Sequence, residues 1–169
     1  MIELKQYLAE RLEGVEKLAI LGAGSRLKAD DCAGTEVADR LIKRFGEAGT
    51  TRLMVYSGET APENYTGEIK RFSPSHLILI DAADFMEQPG AISSIQPCAV
   101  SGVSFSTHML PLKVMLEYLS KEIACQTTIL GVQPASTAFG AKMSSPVKEA
   151  VDELVSALEE LIVENGFAE

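Results

Sequence analysis

The sequence has few cysteines and no long apolar run, and both absences limit what the chain can be. Only three of its 169 residues are cysteines, at positions 32, 98 and 125. They are odd in number and show no C-x-x-C spacing, so neither a disulfide framework nor a zinc finger is expected. Reduced cysteines are typical of the cytoplasm, which is the predicted location. No apolar run approaches the ~18 residues that a membrane span needs, and the first residues lack an apolar core, so neither a membrane anchor nor a signal peptide is expected.

Basic residues are also under-represented. The chain carries 24 acidic and 15 basic residues, which gives a formal net charge of −9. Such a surface repels phosphate backbones and anionic lipid, so nucleic acid and membranes are not expected partners. Hydrophobic residues make up 46% and charged residues 23%, which is ordinary for a folded domain. The length suits one domain better than two.

Common protease motifs are missing as well. The sequence contains neither H-E-x-x-H, the zinc-protease helix, nor G-x-S-x-G, the turn that exposes a catalytic serine. Any catalytic centre must therefore be assembled from residues far apart in the sequence.

Short apolar runs alternate with amphipathic segments along the whole chain. Runs typical of buried strands occur at 17–21, 52–56, 76–80 and 127–132, and a weaker run flanked by prolines at 91–95 predicts an edge strand. Helical spacing occurs at 3–14, 31–46, 63–72, from Pro111 onwards and at 145–164. The alternation predicts one three-layer α/β domain over residues 1–169, with a mostly parallel twisted sheet of about five strands and helices on both faces.

Polar residues cluster at three places: after two of the predicted strands and before one predicted helix. Asp30 and Asp31 follow the first strand, Asp81 directly follows the third, and His108 precedes the Pro111 helix. Each alone has an ordinary explanation: a helix cap for the aspartate pair, a polar strand end for Asp81 and a structural role for His108. Together, two carboxylates and an imidazole at one edge of a sheet suit a divalent metal with open coordination positions.

Two glycines after the first strand allow a different interpretation. Gly22-x-Gly24 opens like a dinucleotide-binding turn, but position 27 is leucine and no acidic residue ends the second strand. The glycines are explained at least in part by a tight turn.

Five motifs, in order, resemble those of the hydrogenase maturation proteases, and in particular the branch that serves hydrogenase 3 and related energy-converting hydrogenases. They are GAGSRLKADDCAG at 22–34, SGETAPEN at 57–64, LIDAAD at 79–84 followed by Pro89-Gly90, STHMLPL at 106–112 and GVQP at 131–134. The resemblance runs from about residue 18 to 152, so the N-terminal helix, residues 1–16, lies outside the family core.

The resemblance implies a function and a site. It implies a nickel-dependent endopeptidase that removes the C-terminal extension of a [NiFe] hydrogenase large-subunit precursor after nickel insertion. Its metal-binding and catalytic positions fall on Asp31, Asp81 and His108. The nickel would be presented by the precursor and would serve recognition at least as much as catalysis.

The chain departs from the family pattern at four positions. Ser25 replaces an asparagine and Cys32 a glycine, and Ser57 and Glu59 replace the aspartate and a glycine of a D-G-G-[ST] loop. Residues Gly58, Glu59 and Thr60 are the candidates for contact with substrate.

Some roles near the site stay open. Cys32 is interpreted as a tolerated small residue, although a soft metal ligand or a Cys32–His108 dyad is an alternative. Asp30 or Asp84 would either assist with protons or support the metal ligands.

Two rival functions follow from the same residues. The first is a non-catalytic module of the same fold that binds nickel or hydrogenase subunits, favoured by the altered loop at 57–60. The second is a transferase with an adenine cofactor at Gly22–Gly24.

Overall fold

A computed structural model describes the backbone of residues 2–47, 49–95, 104–105 and 109–169, and the side chains of these ranges except 2 and 104–111. Its helices are α1 (Ile2–Leu12), α2 (Ala33–Phe45), α3 (Thr66–Phe72), α4 (Met109–Glu122) and α5 (Ser145–Glu164). Its strands are β1 (Leu18–Ala23), β2 (Leu53–Glu59), β3 (His76–Asp84), β4 (Ile92–Ile95), β5 (Ser104–Phe105) and β6 (Gln126–Val132). Short 3₁₀ turns, Ala29–Cys32 and Pro62–Tyr65, precede α2 and α3.

The strands form one sheet in the order β2-β1-β3-β6-β4, with β5 attached to the end of β3. The first four strands of that order are mutually parallel, and β4 runs antiparallel to β6 at the edge. Because β1 connects to β2 on one side and β3 lies on its other side, the chain reverses its direction of travel between β1 and β3. In an α/β sheet this reversal opens a crevice at the carboxyl ends of the two strands.

Helices cover both faces of the sheet, each over its own apolar cluster. On one face, Leu8 and Leu12 of α1 pack with the apolar sides of α2 and α5. On the other face, Ile69 of α3 packs with Leu112 and Met115 of α4. The predicted three-layer α/β architecture with a mostly parallel sheet is confirmed. The central strands are continuous apolar runs in the sequence because helices cover both of their faces.

The predicted elements are all present, with differences at their ends. The last helix spans Ser145–Glu164, as predicted, and the edge strand is four residues long and antiparallel. β3 continues beyond the predicted end at residue 80 as far as Asp84, because β5 pairs with its last residues. The helix predicted at 31–46 is a 3₁₀ turn followed by α2. Among the described helices, none is long and apolar enough to cross a membrane.

His76 is a buried titratable group at the first residue of β3, at the opposite end of the strand from the crevice. It is 1% exposed, and its Nε2 lies 2.9 Å from Thr128 Oγ1. Its Nδ1 is buried without a hydrogen-bond partner in the described part of the chain. Burial, together with the nearby Arg11, lowers the pKa of His76 to about 4.

The lowered pKa of His76 predicts a loss of stability in mild acid. The unfolded chain takes up a proton near pH 6.5, whereas the folded chain resists protonation until about pH 4. The stabilisation is therefore complete above pH 6.5 and declines as the pH falls from 6.5 towards 4, by up to about 3 kcal/mol. Urea unfolding of the native chain and of His76→Gln between pH 7 and 4 measures this. An equal pH slope in both proteins would contradict the assignment.

Candidate functional site

The candidate site lies at the carboxyl ends of β1 and β3, where the chain reverses direction. The 3₁₀ turn Ala29–Cys32 follows β1 and brings two aspartates, Asp30 and Asp31, into the sheet edge. Asp81 lies within β3 and pairs with Gly131 of β6. Asp30 and Asp81 are both 0% exposed and Asp31 is 3% exposed. Three buried carboxylates at one edge need hydrogen bonds or cations to offset their desolvation.

A contact between backbones brings the Asp31 turn against the Asp81 strand. A Cβ atom placed on Gly34, in the first turn of α2, would lie 2.1 Å from the carbonyl oxygen of Ile80 and 2.6 Å from that of Ala23. Only a residue without a side chain allows the helix to approach the strand ends this closely. The turn that carries Asp31 is therefore held beside the last residue before Asp81.

Asp31 is held by the glycine loop rather than by the helix. Its Oδ2 accepts a hydrogen bond of 2.8 Å from the backbone N–H of Ser25, and Gly24 reaches this position with a φ of 130°. No side chain caps α2, so the interpretation of the aspartates as caps of this helix is wrong. Within the described residues, Oδ1 of Asp31 accepts no hydrogen bond, so one carboxylate oxygen remains for a cation or a substrate donor.

Asp30, the neighbour in sequence, has a different role. Its two oxygens accept four hydrogen bonds: from the N–H groups of Ala135, Ser136 and Ser144 and from Ser144 Oγ, at 2.6–3.0 Å. These donors belong to the segment that joins β6 to α5. Both oxygens are used in this way, so of the two roles left open for Asp30 the structure favours structural support.

Asp84 and Gln133 form a second support beside the site. Asp84 Oδ1 accepts hydrogen bonds from Gln133 Nε2 at 3.2 Å and from the N–H of Met86 at 3.0 Å. Gln133 Oε1 accepts one from the N–H of Phe85 at 2.9 Å. The amide of Gln133 thus ties the end of β6 to the turn after β3. The motif at 131–134 marked this glutamine, but its partner is 49 residues away in sequence.

The predicted metal ligands are placed only in part. Asp31 and Asp81 meet at the same edge, and Asp81 Oδ1 accepts a hydrogen bond of 2.8 Å from the N–H of Ala82. His108, with Ser106 and Thr107, lies outside the described residues, so its position stays a prediction. In the described part of the chain no three His, Cys, Asp or Glu residues form a metal-binding group. The two carboxylates supply oxygen ligands that divalent cations accept.

Cys32 is half-buried and its thiol donates to the carbonyl oxygen of Ala29, with Sγ 3.0 Å from that oxygen. Burial and the negative charge of Glu36 raise its pKa. A raised pKa disfavours the thiolate, which is the nucleophilic form. The geometry therefore favours the interpretation of Cys32 as a small packing residue over a Cys32–His108 dyad.

The altered loop at 57–60 is tied to the glycine loop by a network centred on Arg26. The guanidinium group donates to both oxygens of Asp39, to Glu59 Oε1 at 3.0 Å and to Ser57 Oγ at 3.3 Å. The carbonyl oxygen of Glu59 also accepts from the N–H of Gly24 at 2.8 Å. Glu59 therefore holds both residues that flank Ser25, whose N–H binds Asp31.

Hydrogen bonds around Arg26 shift its own pKa and that of its partner. Those from Arg26 to Asp39 and Glu59 raise the pKa of Arg26. Partial burial opposes ionisation of Asp39, but the bonds from Arg26 and Ser57 outweigh it and lower the pKa of that carboxyl. Arg26 and Asp39 therefore stay oppositely charged at neutral pH. Ser57 and Glu59 stand out in the sequence as departures from the family pattern, whereas nothing local marks Arg26 and Asp39 as their partners.

Of the remaining loop candidates, Gly58 is buried against Pro62, and Thr60 is exposed at the tip of the turn. Glu59 has a φ of 47°, a left-handed conformation that the usual glycine adopts freely. The chain thus adopts at Glu59 a backbone conformation that is open to glycine, the usual residue at this position, without strain.

The fold and the site define a class of protein: an α/β domain that has buried aspartates at the carboxyl ends of β1 and β3. Such a cluster is a candidate site for a cation or a substrate. Residues 35–161 match the family model of the hydrogenase maturation proteases. The chain is 35% identical to a putative hydrogenase maturation protease of Methanocaldococcus jannaschii over 98% of this chain and 99% of the relative. It is 30% identical to the hydrogenase 3 maturation protease of Escherichia coli over 89% and 94%.

Solved structures agree with the sequence comparison. The crystal structure of a [NiFe] hydrogenase maturation protease from Thermococcus kodakarensis superimposes with a TM-score of 0.83 at 28% identity, over 92% of this chain and 98% of that one. The chain belongs to the hydrogenase maturation protease family, a family of hydrolases.

The contrast between Asp30 and Asp31 predicts that the same substitution destabilises the two positions unequally. Asp30→Asn replaces an acceptor oxygen with an NH₂ group that faces backbone donors, so we expect a loss of about 2–4 kcal/mol in the free energy of unfolding. Asp31→Asn keeps one oxygen for the Ser25 N–H, so we expect a change below about 1 kcal/mol. Urea denaturation of both variants measures the difference. Equal destabilisation would show that Asp31 also serves mainly to support the fold.

The left-handed backbone of Glu59 predicts an order among its variants. Glu59→Gly and Glu59→Ala both remove the exposed ion pair with Arg26, worth up to about 1 kcal/mol. Only glycine also relieves the left-handed strain, so Glu59→Gly should be about 1 kcal/mol more stable to unfolding than Glu59→Ala. Thermal unfolding of the two variants in parallel tests this order, and alanine matching glycine would contradict the strain.

Proposed function

We propose that this chain is an endopeptidase that removes the C-terminal extension of a [NiFe] hydrogenase large-subunit precursor after nickel insertion. The observation that carries the proposal is the placement of two buried carboxylates, Asp31 and Asp81, at the sheet edge of a hydrogenase maturation protease. The Escherichia coli relative is named a hydrogenase 3 maturation protease, which supports proteolysis in hydrogenase maturation as the activity.

The residues of the chain would act by binding and orienting the precursor. The Ser25 N–H holds Asp31 by one oxygen and leaves Oδ1 without a hydrogen bond from the described residues, so Asp31 is set to accept a cation or an N–H donor. Asp81 is fixed by its own neighbouring amide. His108 is proposed as the third member on the resemblance alone. Nickel carried by the precursor, when held by these groups, would polarise the scissile carbonyl.

Recognition of a nickel-loaded precursor would follow if the ligands of the nickel ion came partly from this chain and partly from the precursor. Two or three ligands from this chain leave coordination positions for groups of the precursor. A precursor without nickel forfeits these bonds, so docking is coupled to metal loading. The energy of the bonds between nickel and both proteins, rather than a side-chain pocket, would then distinguish the nickel-loaded precursor from the empty one.

The non-catalytic alternative has one observation in its favour, which is the replacement of the D-G-G-[ST] loop. Glu59 nevertheless has a left-handed backbone that suits glycine as well, and Ser57 and Glu59 bond to Arg26 rather than disturb the strand. An adenine cofactor at Gly22–Gly24 is disfavoured, because Asp30 and Asp31 put two carboxylates where a diphosphate would have to bind.

The proposed function predicts cleavage that depends on nickel loading. Incubation of the chain with nickel-loaded precursor should release the C-terminal peptide, whereas nickel-free precursor and a free peptide spanning the cleavage site should stay intact. Asp31→Asn, Asp81→Asn and His108→Ala should each reduce the rate by at least about 100-fold, the effect of removing one group that acts in the transition state. Mass spectrometry of the large subunit measures each outcome.

Two controls sharpen the processing experiment. Cys32→Gly, which restores the usual family residue, should retain activity, so its inactivity would favour thiol chemistry. Binding of nickel-loaded precursor without any release of peptide would support the non-catalytic module. Equal cleavage of loaded precursor, empty precursor and free peptide would refute recognition through nickel.

A further inference from the structure

A groove of about 400 Å³ runs along the outer edge of β2. Its floor consists of strand residues from Met54 to Glu59, and its walls come from α2 on one side and from Tyr65 and α3 on the other. The rings of Tyr56 and Tyr65 pack at a centroid distance of 5.2 Å inside it. The groove ends at Ser57 and Glu59, the residues that border the glycine loop of the candidate site.

The backbone of this edge has unused hydrogen-bonding groups. Arg52 faces β1, since its carbonyl oxygen accepts from the N–H of Leu18, so alternate residues Leu53, Val55 and Ser57 direct their backbone groups outward. Leu53 is paired with Thr50 in both directions, at 2.8 and 2.9 Å. For Val55 and Ser57 the described residues provide no partner, and β1 is the one described strand that pairs with β2.

The walls of the groove carry an excess of negative charge. Asp39 and Glu59 are paired with Arg26. Glu47 and Glu68 also line the groove, are exposed, and form no ion pair within the described residues. Four carboxylates against one guanidinium favour a positively charged occupant.

We propose that this groove binds an extended, basic segment of the precursor as an added strand on β2. Backbone pairing to Val55 and Ser57 would provide the affinity, and Glu47 and Glu68 the preference for lysine or arginine. One strand, β1, separates β2 from β3, so at ~4.8 Å per strand the added segment lies about 15 Å from Asp81. Four or five extended residues span that distance. The segment in the groove is therefore separated from the scissile bond by at least that many residues of the precursor. This inference rests on the proposed function for the identity of its occupant.

The binding itself can be tested without any cleavage. The probe is the peptide Ac-KTKVKTKV-NH₂, titrated into the ¹⁵N-labelled chain at low salt. The amides of Val55 and Ser57 should shift and exchange more slowly with solvent. The acidic counterpart Ac-ETEVETEV-NH₂, and the basic peptide with alternate amides N-methylated, should bind at least about tenfold more weakly. Shifts confined to other residues, or equal binding of the three peptides, would overturn the proposal. So would occupation of this edge by a second copy of the chain, seen as shifts of the same amides on raising the protein concentration.

Cleavage kinetics test whether the groove serves the substrate. Glu47→Lys with Glu68→Lys should raise the KM for nickel-loaded precursor about tenfold at low salt and leave kcat unchanged. Glu10→Lys with Glu13→Lys, the same change in net charge on exposed residues outside the groove, should leave both constants unchanged. Normal cleavage with an unchanged KM in the groove variant would refute the groove and leave the proposed function intact. Absence of cleavage by the native chain would refute the proposed function, while the peptide titration still decides the groove.

Discussion

The structure depends on one close approach, that of the first turn of α2 to the ends of β1 and β3. At Gly34 the helix backbone lies so near Ile80 and Ala23 that a side chain has no room. This contact fixes the height of α2 above the sheet and thereby the position of the turn that carries Asp30 and Asp31. Packed interiors tolerate little adjustment, so the separation between the two acidic segments is set by van der Waals contact and not by their mutual repulsion.

Given that contact, two adjacent aspartates differ in how fully their oxygens are hydrogen-bonded. Asp30 faces four donors from the segment before α5, which offset the cost of its burial. Asp31 receives one described hydrogen bond and retains an oxygen for another partner. The fully bonded Asp30 thus fixes the turn, and this leaves Asp31 in the position that the function we propose requires of it.

The sequence predicts the layers and strand positions well, because a strand covered on both faces must be apolar throughout, as at Leu77–Ile80. It also predicts that Asp31 and Asp81 share an edge, since carboxyl ends of parallel strands do so. It does not separate the roles of Asp30 and Asp31, because the donors to Asp30 lie more than 100 residues away. The extension of β3 and the Arg26 network were missed for the same reason: both depend on partners distant in sequence, Phe105 for Ala83 and Glu59 for Arg26.

The loop at 57–60 shows that the path of the backbone at the site does not depend on which side chain stands at position 59. Glu59 has a left-handed φ, and its carbonyl oxygen accepts from the N–H of Gly24, so the path of the chain around Ser25 and Asp31 does not require glycine at position 59. What changes is the surface beside it, where a carboxylate and a guanidinium now stand at the end of the β2 groove. Strain of about 1 kcal/mol at one residue is a small cost against a stability of several kcal/mol. The path of the chain around Asp31 and the side chains that wall the β2 groove are therefore set by different residues, so the chemistry that we propose for the one and the substrate preference that we propose for the other can change independently.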